Sequence, residues 1–331
     1  MTYLVTGATG FLGGYLVRQL RSAGHDVRAV VRTPGRARDL QKLGITLHEG
    51  DVTDKASMRA PMTGVDGVFH VAGWYKVGVR DKSPAFAVNV EGTRHVLELM
   101  QELGIPKGVY TSSLAVNSDT HGRLVDETYR FTGRHVSVYD ESKARAHHLA
   151  ESFIAKGLPL VIVQPGLIYG PGDTSGVRTM LIQYLQRKLP VIPKRTAYAW
   201  GFVEDIARGH VLAMEKGQPG RNYYICGPAH TLESALDLAA GITGIPAPRI
   251  RVNPGLLRLT ARLVAPIEKI IPLPTAYTPE GLRTVAVTYI GDNSRAKREL
   301  GWTVRPLRDG LTETLRHEMK LLGMPERSAS R

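Results

Sequence analysis

Tyr139 and Lys143 are the side chains whose types and spacing most directly suggest chemistry. They stand four apart in a stretch whose helical pattern runs through Ala144, His147, His148 and Ala150, so they share one helix face. A phenol with its ordinary pKa of ~10 is a poor acid or base near neutrality, whereas an adjacent ammonium favours the phenolate and lowers that value. The pair therefore suggests acid–base work, although an isolated Tyr and Lys at this spacing can equally sit on a solvent face. Upstream, Val109 to Thr111 reads as a strand running into Ser112 and Ser113. Hydroxyls commonly turn a chain as it leaves a strand, so these gain meaning only beside the Tyr and Lys pair.

The elements that must position this chemistry begin at the N-terminal TYLVTGATGFLGG. Tyr3 to Val5 is an apolar run, Gly7, Gly10 and Gly13 follow at three-residue spacing, and Leu12, Leu16 and Leu20 recur at helical spacing until Gly24. The stretch predicts strand, tight turn and helix. Glycines let a diphosphate approach the backbone, and the new helix points free N–H groups and its positive dipole end at that anion. The motif predicts a dinucleotide; glycines that merely pack helix on strand are the alternative.

The second strand, Val27 to Val31, ends at Arg32 with no carboxylate. An acidic residue there would bond a ribose 2′-hydroxyl and repel a 2′-phosphate, which arginine attracts. NADP(H) is therefore favoured, with NAD possible. Arg32 is the first candidate for that phosphate and Arg36 the second, within a basic cluster of Arg28, Arg32, Arg36, Arg38 and Lys42 against Asp39. A solvated helix face is the other reading of the cluster.

Further along, Pro34 to Leu43 predicts a short helix, Ile45 to His48 a strand and Thr53 to Met62 a helix. Apolar runs at Val68 to Val71, Val109 to Thr111 and Leu160 to Val163 alternate with helical patterns at Pro84 to Leu103 and Tyr139 to Lys156. Such alternation implies an α/β fold: a Rossmann-type, doubly wound parallel sheet with ligands at the carboxyl ends of its strands. The expected organisation is a dinucleotide-binding domain over 1–165, with 198–226 returning to it. A smaller C-terminal substrate-binding lobe takes 166–197 and 227–324, and 325–331 forms a flexible tail. In the lobe, Gly176 to Leu189 and Leu232 to Ile242 read as helices, Val203 to Lys216 as a helix returning beside the sheet and Asn222 to Cys226 as a strand. Pro254 to Leu273 is rich in Leu and Ile but broken by Arg258, Arg262, Pro266 and Glu268. A core or substrate-lid helix is favoured there over an interfacial membrane helix.

With 331 residues, 43% hydrophobic and 22% charged, the composition is that of a globular protein with one α/β domain and a smaller lobe. Cys226 stands alone, so no intrachain disulfide can form. The beginning shows no basic segment before a long apolar run, no stretch approaches a membrane span, and a cytoplasmic location is expected. The net charge of +13 is scattered through amphipathic segments, which argues against nucleic acid and for a small-molecule substrate. The histidines show no metal-ligand spacing.

Ordered motifs give the whole chain a family resemblance. TGATGFLG resembles TGxxGxxG, Gly50-Asp51-Val52 the adenine-side GD[VL] and Phe69 to Ala72 the HxAA element. Asn89 to Thr93 resembles NVxGT, Tyr139 with Lys143 YxxxK and Pro165 to Gly172 PxxVYGPG. Phe202 to Ala207 resembles FVxVxDVA and Lys297 to Trp302 KRELGW. The chain is identified as a member of the extended short-chain dehydrogenase/reductases, the NAD-dependent epimerase/dehydratase superfamily. In character it is nearest the dihydroflavonol reductase and 3β-hydroxysteroid dehydrogenase branch.

The resemblance implies a catalytic triad of Ser113, Tyr139 and Lys143. Tyr139 would exchange a proton with a carbonyl or alcohol oxygen during hydride transfer, Ser113 would bond that oxygen, and Lys143 would hold the nicotinamide ribose and tune Tyr139. It also implies cofactor contacts from Gly7, Thr9, Gly10, Phe11, Leu12, Gly13, Arg32, Arg36, Asp51 and Val52. Further along the chain these continue through Val71, Ala72, Gly73, Asn89, Thr111, Pro165 and Ile168, besides Tyr139 and Lys143. Departures bear on the substrate. Leu114-Ala115 replaces the Asp-Glu pair of nucleotide-sugar dehydratases, and Gln164 replaces an epimerase arginine. Aromatic residues stand where a diphosphate-binding arginine would, although Arg195 lies slightly upstream. An oxidoreductase acting on a small, largely apolar ketone, aldehyde or alcohol is expected, with Trp74, Tyr75, Tyr169 and Trp200 joining Ser113 and Tyr139 in contact with it. A nucleotide-sugar epimerase is the alternative enzyme, and a catalytically idle NADP-sensing module the alternative of another class. A homodimer through the Pro84 to Leu103 and Tyr139 to Lys156 helices is suggested by the family alone.

Overall fold

The computed structural model describes residues 1–268 and 270–325; the expected tail from 326 onward lies outside the described residues. The first half follows the alternation read from the sequence. In chain order it comprises β1 (Thr2–Thr6), α1 (Phe11–Ser22), β2 (Asp26–Val31), α2 (Arg38–Lys42), β3 (Thr46–Glu49), α3 (Lys55–Met62) and β4 (Gly67–His70). Then come α4 (Ser83–Phe86), α5 (Gly92–Glu102), β5 (Gly108–Thr111), α6 (Val138–Ala155) and β6 (Leu160–Pro165). A π-helical turn, Ala87–Glu91, joins α4 to α5.

The second half builds the lobe and one excursion from it. Its elements are β7 (Leu167–Tyr169), α7 (Gly176–Leu185), β8 (Val191–Pro193), β9 (Ala197–Phe202), α8 (Val203–Lys216) and β10 (Asn222–Ile225). There follow β11 (Ala229–Thr231), α9 (Leu232–Thr243), β12 (Ile250–Val252), α10 (Pro254–Glu268) and α11 (Pro279–Thr284). The chain closes with β13 (Thr288–Tyr289), α12 (Ser294–Leu300) and α13 (Leu307–Leu321).

Seven strands form one sheet in the order β10-β6-β5-β4-β1-β2-β3, and every pairing in it is parallel. Apolar strands buried on both faces need two helical layers. One layer packs α1 and α8 on the sheet through Leu16, Leu20, Val211 and Leu212, and the other packs α3, α5 and α6 through Met58, Leu97 and Ala146. Chain order reverses between β1 and β4, so their carboxyl ends open a crevice at the switch point.

The excursion is shorter than the sequence suggested. Residues 198–202 do not join the large sheet: they lie in β9, the centre of a separate sheet, with β7, β11 and β13 already on its edges. Only α8 and β10 return, and β10 closes the large sheet beside β6. Asp205 fixes this junction, because Arg305 clasps its carboxylate through Nε and Nη2 at 2.9 Å each while Trp302 donates to the Asp205 carbonyl at 2.8 Å. The expected core or lid helix over 254–273 also differs. Within α10 only Ala261 is buried, whereas Leu256, Leu259, Leu263 and Ile267 are exposed.

Candidate active site

The glycine turn is built by contact. Gly7 has φ +74°, and a Cβ there would sit 2.7 Å from the Ala72 nitrogen, so only glycine lets the loops after β1 and β4 touch. The Gly10 N–H donates to the Gly7 carbonyl at 2.9 Å, and α1 starts next with no side chain capping its N–H groups. An uncapped helix start beside a cradle that a Cβ would fill suits a diphosphate.

Thr6 and His70 lock the two loops together. The Val71 and Ala72 N–H groups donate to Thr6 Oγ1 at 3.2 and 3.1 Å. The Thr6 proton is then directed to His70 Nδ1 at 2.8 Å, leaving the Nε2–H of the ring to face Thr93 Oγ1 at 3.0 Å. Burial and the nearby Lys143 push the imidazole down to about 3, so it stays neutral and structural.

Tyr139 lies in the first turn of α6, whose N-cap Ser137 accepts from the Asp140 N–H at 3.0 Å. Its phenol lines the cleft together with Ser113. Lys143, one turn on, donates to the Thr111 carbonyl at 2.8 Å and to the Tyr110 hydroxyl at 3.3 Å, above the Tyr110 ring. The expected lowering of the phenol is reversed: burial pushes Tyr139 up to about 12, with Asp140 adding to the rise and Ser113 opposing it. Burial also brings Lys143 down to about 7, which weakens the ammonium that was to stabilise the phenolate. The two serines are separated by their partners. Ser112 is buried and pairs with His147 Nδ1 at 2.9 Å, whereas Ser113 opens on the cleft and accepts from the Ala115 N–H at 3.1 Å.

One cleft of about 1490 Å³ joins these groups to the glycine turn. It takes in Thr9, Phe11, Leu12 and Gly13, then Arg32, Arg36, Asp51 and Val52. Val71, Ala72, Gly73, Thr111, Pro165 and Ile168 line it as well. Arg32 and Arg36 are exposed and form no ion pair among the described residues. Trp74 and Tyr75 also reach the cleft, the Tyr75 hydroxyl pairing with Thr174 Oγ1 at 3.0 Å.

Three expected contacts lie elsewhere. Asn89 is buried in the π-helical turn, where its carboxamide is engaged: Oδ1 accepts from the Trp74 N–H at 2.7 Å, and Nδ2 donates to the Trp74 carbonyl and Ser142 Oγ. It shapes the loop that carries Trp74 without lining the cleft. Tyr169 and Trp200 are each 1% exposed, packed edge to face in the lobe core. Pairing of β7 with β9 turns both inward, so Trp200 Nε1 donates to the His230 carbonyl at 3.2 Å instead of meeting a substrate.

Sequence reasoning gave no role to Asp140, Glu280 or Tyr289, and counted Tyr198 only among the aromatic residues that stand where a diphosphate-binding arginine would. The Tyr198 and Tyr289 rings line the cleft nearly parallel, 8° apart with centroids at 6.1 Å. Tyr289 donates to Asp140 Oδ2 at 2.9 Å, and Ser137 and Ser118 donate to the same carboxyl group at 2.7 and 3.2 Å. Burial nonetheless pushes Asp140 up to about 7. Glu280 of α11 accepts the Val138 N–H at 2.6 Å and the Gly78 N–H at 3.1 Å, and pairs with Lys82 at 3.1 Å. The spacing of two among Tyr198, Trp200 and Phe202 marks one aromatic face of β9, a signal that could have placed the Tyr198 ring beside Trp200, with centroids 6.1 Å apart. Tyr289, in a two-residue strand, carried no comparable signal.

Residues 3–226 match the model of the NAD dependent epimerase/dehydratase family. The chain belongs to this family, in its extended short-chain dehydrogenase/reductase branch of NAD(P)-dependent oxidoreductases. It is 33% identical to a Synechocystis sp. protein named "Putative dihydroflavonol 4-reductase", over 95% of this chain and 93% of that one. It is 32% identical to sterol demethylase protein B of Methylococcus capsulatus, over 91% and 93% of the two chains. The solved structure of gox2253 superposes with a TM-score of 0.85 at 29% identity, covering 98% of this chain and 99% of that one. Among the described residues no cluster suits a metal ion, and no helix is long and apolar enough to cross a membrane.

Proposed function

We propose that the chain is an NADP(H)-dependent oxidoreductase interconverting a small, largely apolar ketone or aldehyde and its alcohol. The observation that carries this reading is the composition of this cleft. Its arginines are Arg18, Arg32 and Arg36, from α1 and the segment after β2, while Trp74, Tyr75, Tyr198 and Tyr289 wall the side beyond Tyr139. A nucleotide sugar would call for arginines there, and the cation that lines the cleft in that stretch is Lys76, next in the chain to Tyr75. Arg195 is not among the cleft residues, and Gln164, standing where epimerases carry arginine, is buried and donates to the Ser113 carbonyl at 3.2 Å.

In this reading the glycine turn and the start of α1 hold the diphosphate, and Arg32 and Arg36 hold the 2′-phosphate. When bound, the nicotinamide supplies or accepts the hydride. Ser113 Oγ fixes the substrate oxygen and Tyr139 delivers its phenolic proton to that oxygen as charge develops. Lys143 stands one turn below as a ribose ligand, held to the Thr111 carbonyl at 2.8 Å. Trp74, Tyr198 and Tyr289 exclude water and select for apolar, flat substrates.

Ketones and aldehydes screened by NADPH oxidation, beside calorimetry of a UDP-sugar injected into NADP-saturated protein, test the reading. Turnover of an aryl or cyclic ketone without heat from the sugar is expected. Tight sugar binding with epimerisation would overturn it. Tyr139→Phe should lower kcat by roughly 10²-fold to 10⁴-fold with NADPH binding nearly unchanged; wild-type turnover in that variant would remove Tyr139 from its role.

A further inference from the structure

The solvent side of α10 is built the wrong way round for water. Leu256, Leu259, Leu263 and Ile267 recur at spacings of three and four and are 56%, 50%, 65% and 45% exposed. Ile270 and Ile271 extend the stripe at 84% and 56% exposed. The opposite side, through Ala261, packs on α11 and is tied there by Arg258, whose Nη2 donates to the Ala286 carbonyl at 3.1 Å. One helix thus carries apolar residues both toward the protein and away from it. A contiguous exposed patch of this kind marks an interaction surface.

Charge indicates what covers it. Arg262 lies on α10 itself, Lys194 and Arg195 follow β8 at the end nearest the start of α10, where the Lys194 N–H bonds the Val252 carbonyl at 2.8 Å, and Arg249 leads into β12. All four are exposed, and none forms an ion pair with another described residue. Two copies meeting through this stripe would bring basic rim against basic rim. An apolar stripe rimmed by arginine and lysine fits instead the boundary between acyl chains and anionic headgroups.

We propose that α10 docks this protein on the surface of an anionic lipid bilayer, its Leu and Ile stripe among the acyl chains and its basic rim on the headgroups. Docking would bring the cleft wall near the bilayer, because α11, which packs on α10, carries Thr284 into that wall. The proposal goes beyond the reading of the active site, and its readout does not depend on catalysis.

The test is flotation of the full chain with vesicles of phosphatidylcholine alone and with phosphatidylglycerol added. The protein should float with the anionic vesicles and stay behind with the neutral ones. Leu259→Glu and Leu263→Glu should each weaken binding roughly tenfold or more, as expected for losing a buried leucine. Arg262→Glu should weaken it for anionic vesicles only. All three should keep the parent melting temperature and NADPH affinity, and Leu321→Glu, at an exposed leucine of α13, should float like the parent. Absence from the anionic vesicle fraction, or flotation unchanged in the leucine variants, would overturn the proposal. A dimer that Leu263→Glu converts to monomer, without flotation of the parent, would assign the stripe to a second copy instead.

Discussion

Asp140→Asn should change how stability depends on pH, and by a predictable amount. The Asp140 carboxyl titrates near 7 in the folded chain against an ordinary 3.8, because burial outweighs the hydroxyl donors around it. Between those values the folded chain holds a proton that the unfolded chain has released, so stability falls as pH rises. Each pKa unit is worth 1.36 kcal/mol, so the full interval is worth about 4 kcal/mol and the part above pH 5 about 3 kcal/mol. Above pH 7 both states are ionised and the loss stops. Asparagine cannot ionise, and any constant cost of its altered hydrogen bonding cancels when two pH values are compared. Urea unfolding of parent and variant at pH 5 and pH 8 should show the variant gaining about 3 kcal/mol relative to its parent. The same difference at both pH values would mean that Asp140 is already ionised at pH 5, and the argument from burial would fail.

Arg32→Asp should lower the preference for NADPH over NADH by roughly tenfold to a hundredfold, read as the ratio of kcat/KM values, since it removes a charge-assisted bond and adds repulsion. An unchanged ratio would show that the 2′-phosphate lies elsewhere. Gly7→Ala should destabilise the fold by about 1 to 3 kcal/mol in urea and abolish NADPH binding, because its Cβ meets the Ala72 backbone and φ is positive. Tyr198→Ala should raise KM for a flat ketone about tenfold with little change in kcat, the pattern of lost binding without lost chemistry.

The alternation of short apolar strands with helical patterns located all seven strands of the large sheet, because strands covered on both faces leave near-continuous apolar runs. The glycine spacing and the Tyr139 and Lys143 pair were legible for a related reason: each depends on local geometry, a tight turn or one helix face. What failed depends on direction. The aromatic character of Tyr169 and Trp200 was plain in the sequence, but only pairing of β7 with β9 turns them into the lobe core. The tuning of Tyr139 was not legible because spacing shows a nearby ammonium and not the burial that raises the phenol and lowers Lys143. Asp140 gained no role from the sequence, because Tyr289, which donates to it, lies 149 residues away along the chain. The inward side of α10 was expected from its leucines, whereas the structure turns most of them outward.

Glu280 has a consequence for anyone who would recombine this protein with its relatives. One carboxylate of the lobe holds the start of the helix bearing Tyr139, the Gly78 backbone and Lys82. With Tyr289 on Asp140, it makes the lobe part of the scaffold of Tyr139. A chimera that imports a foreign lobe to acquire a new substrate must import matching partners for Ser137 to Asp140 as well, or it will inherit selectivity with a misaligned tyrosine. Modularity here ends at α11, and the natural crossover points lie on either side of the 279–289 segment.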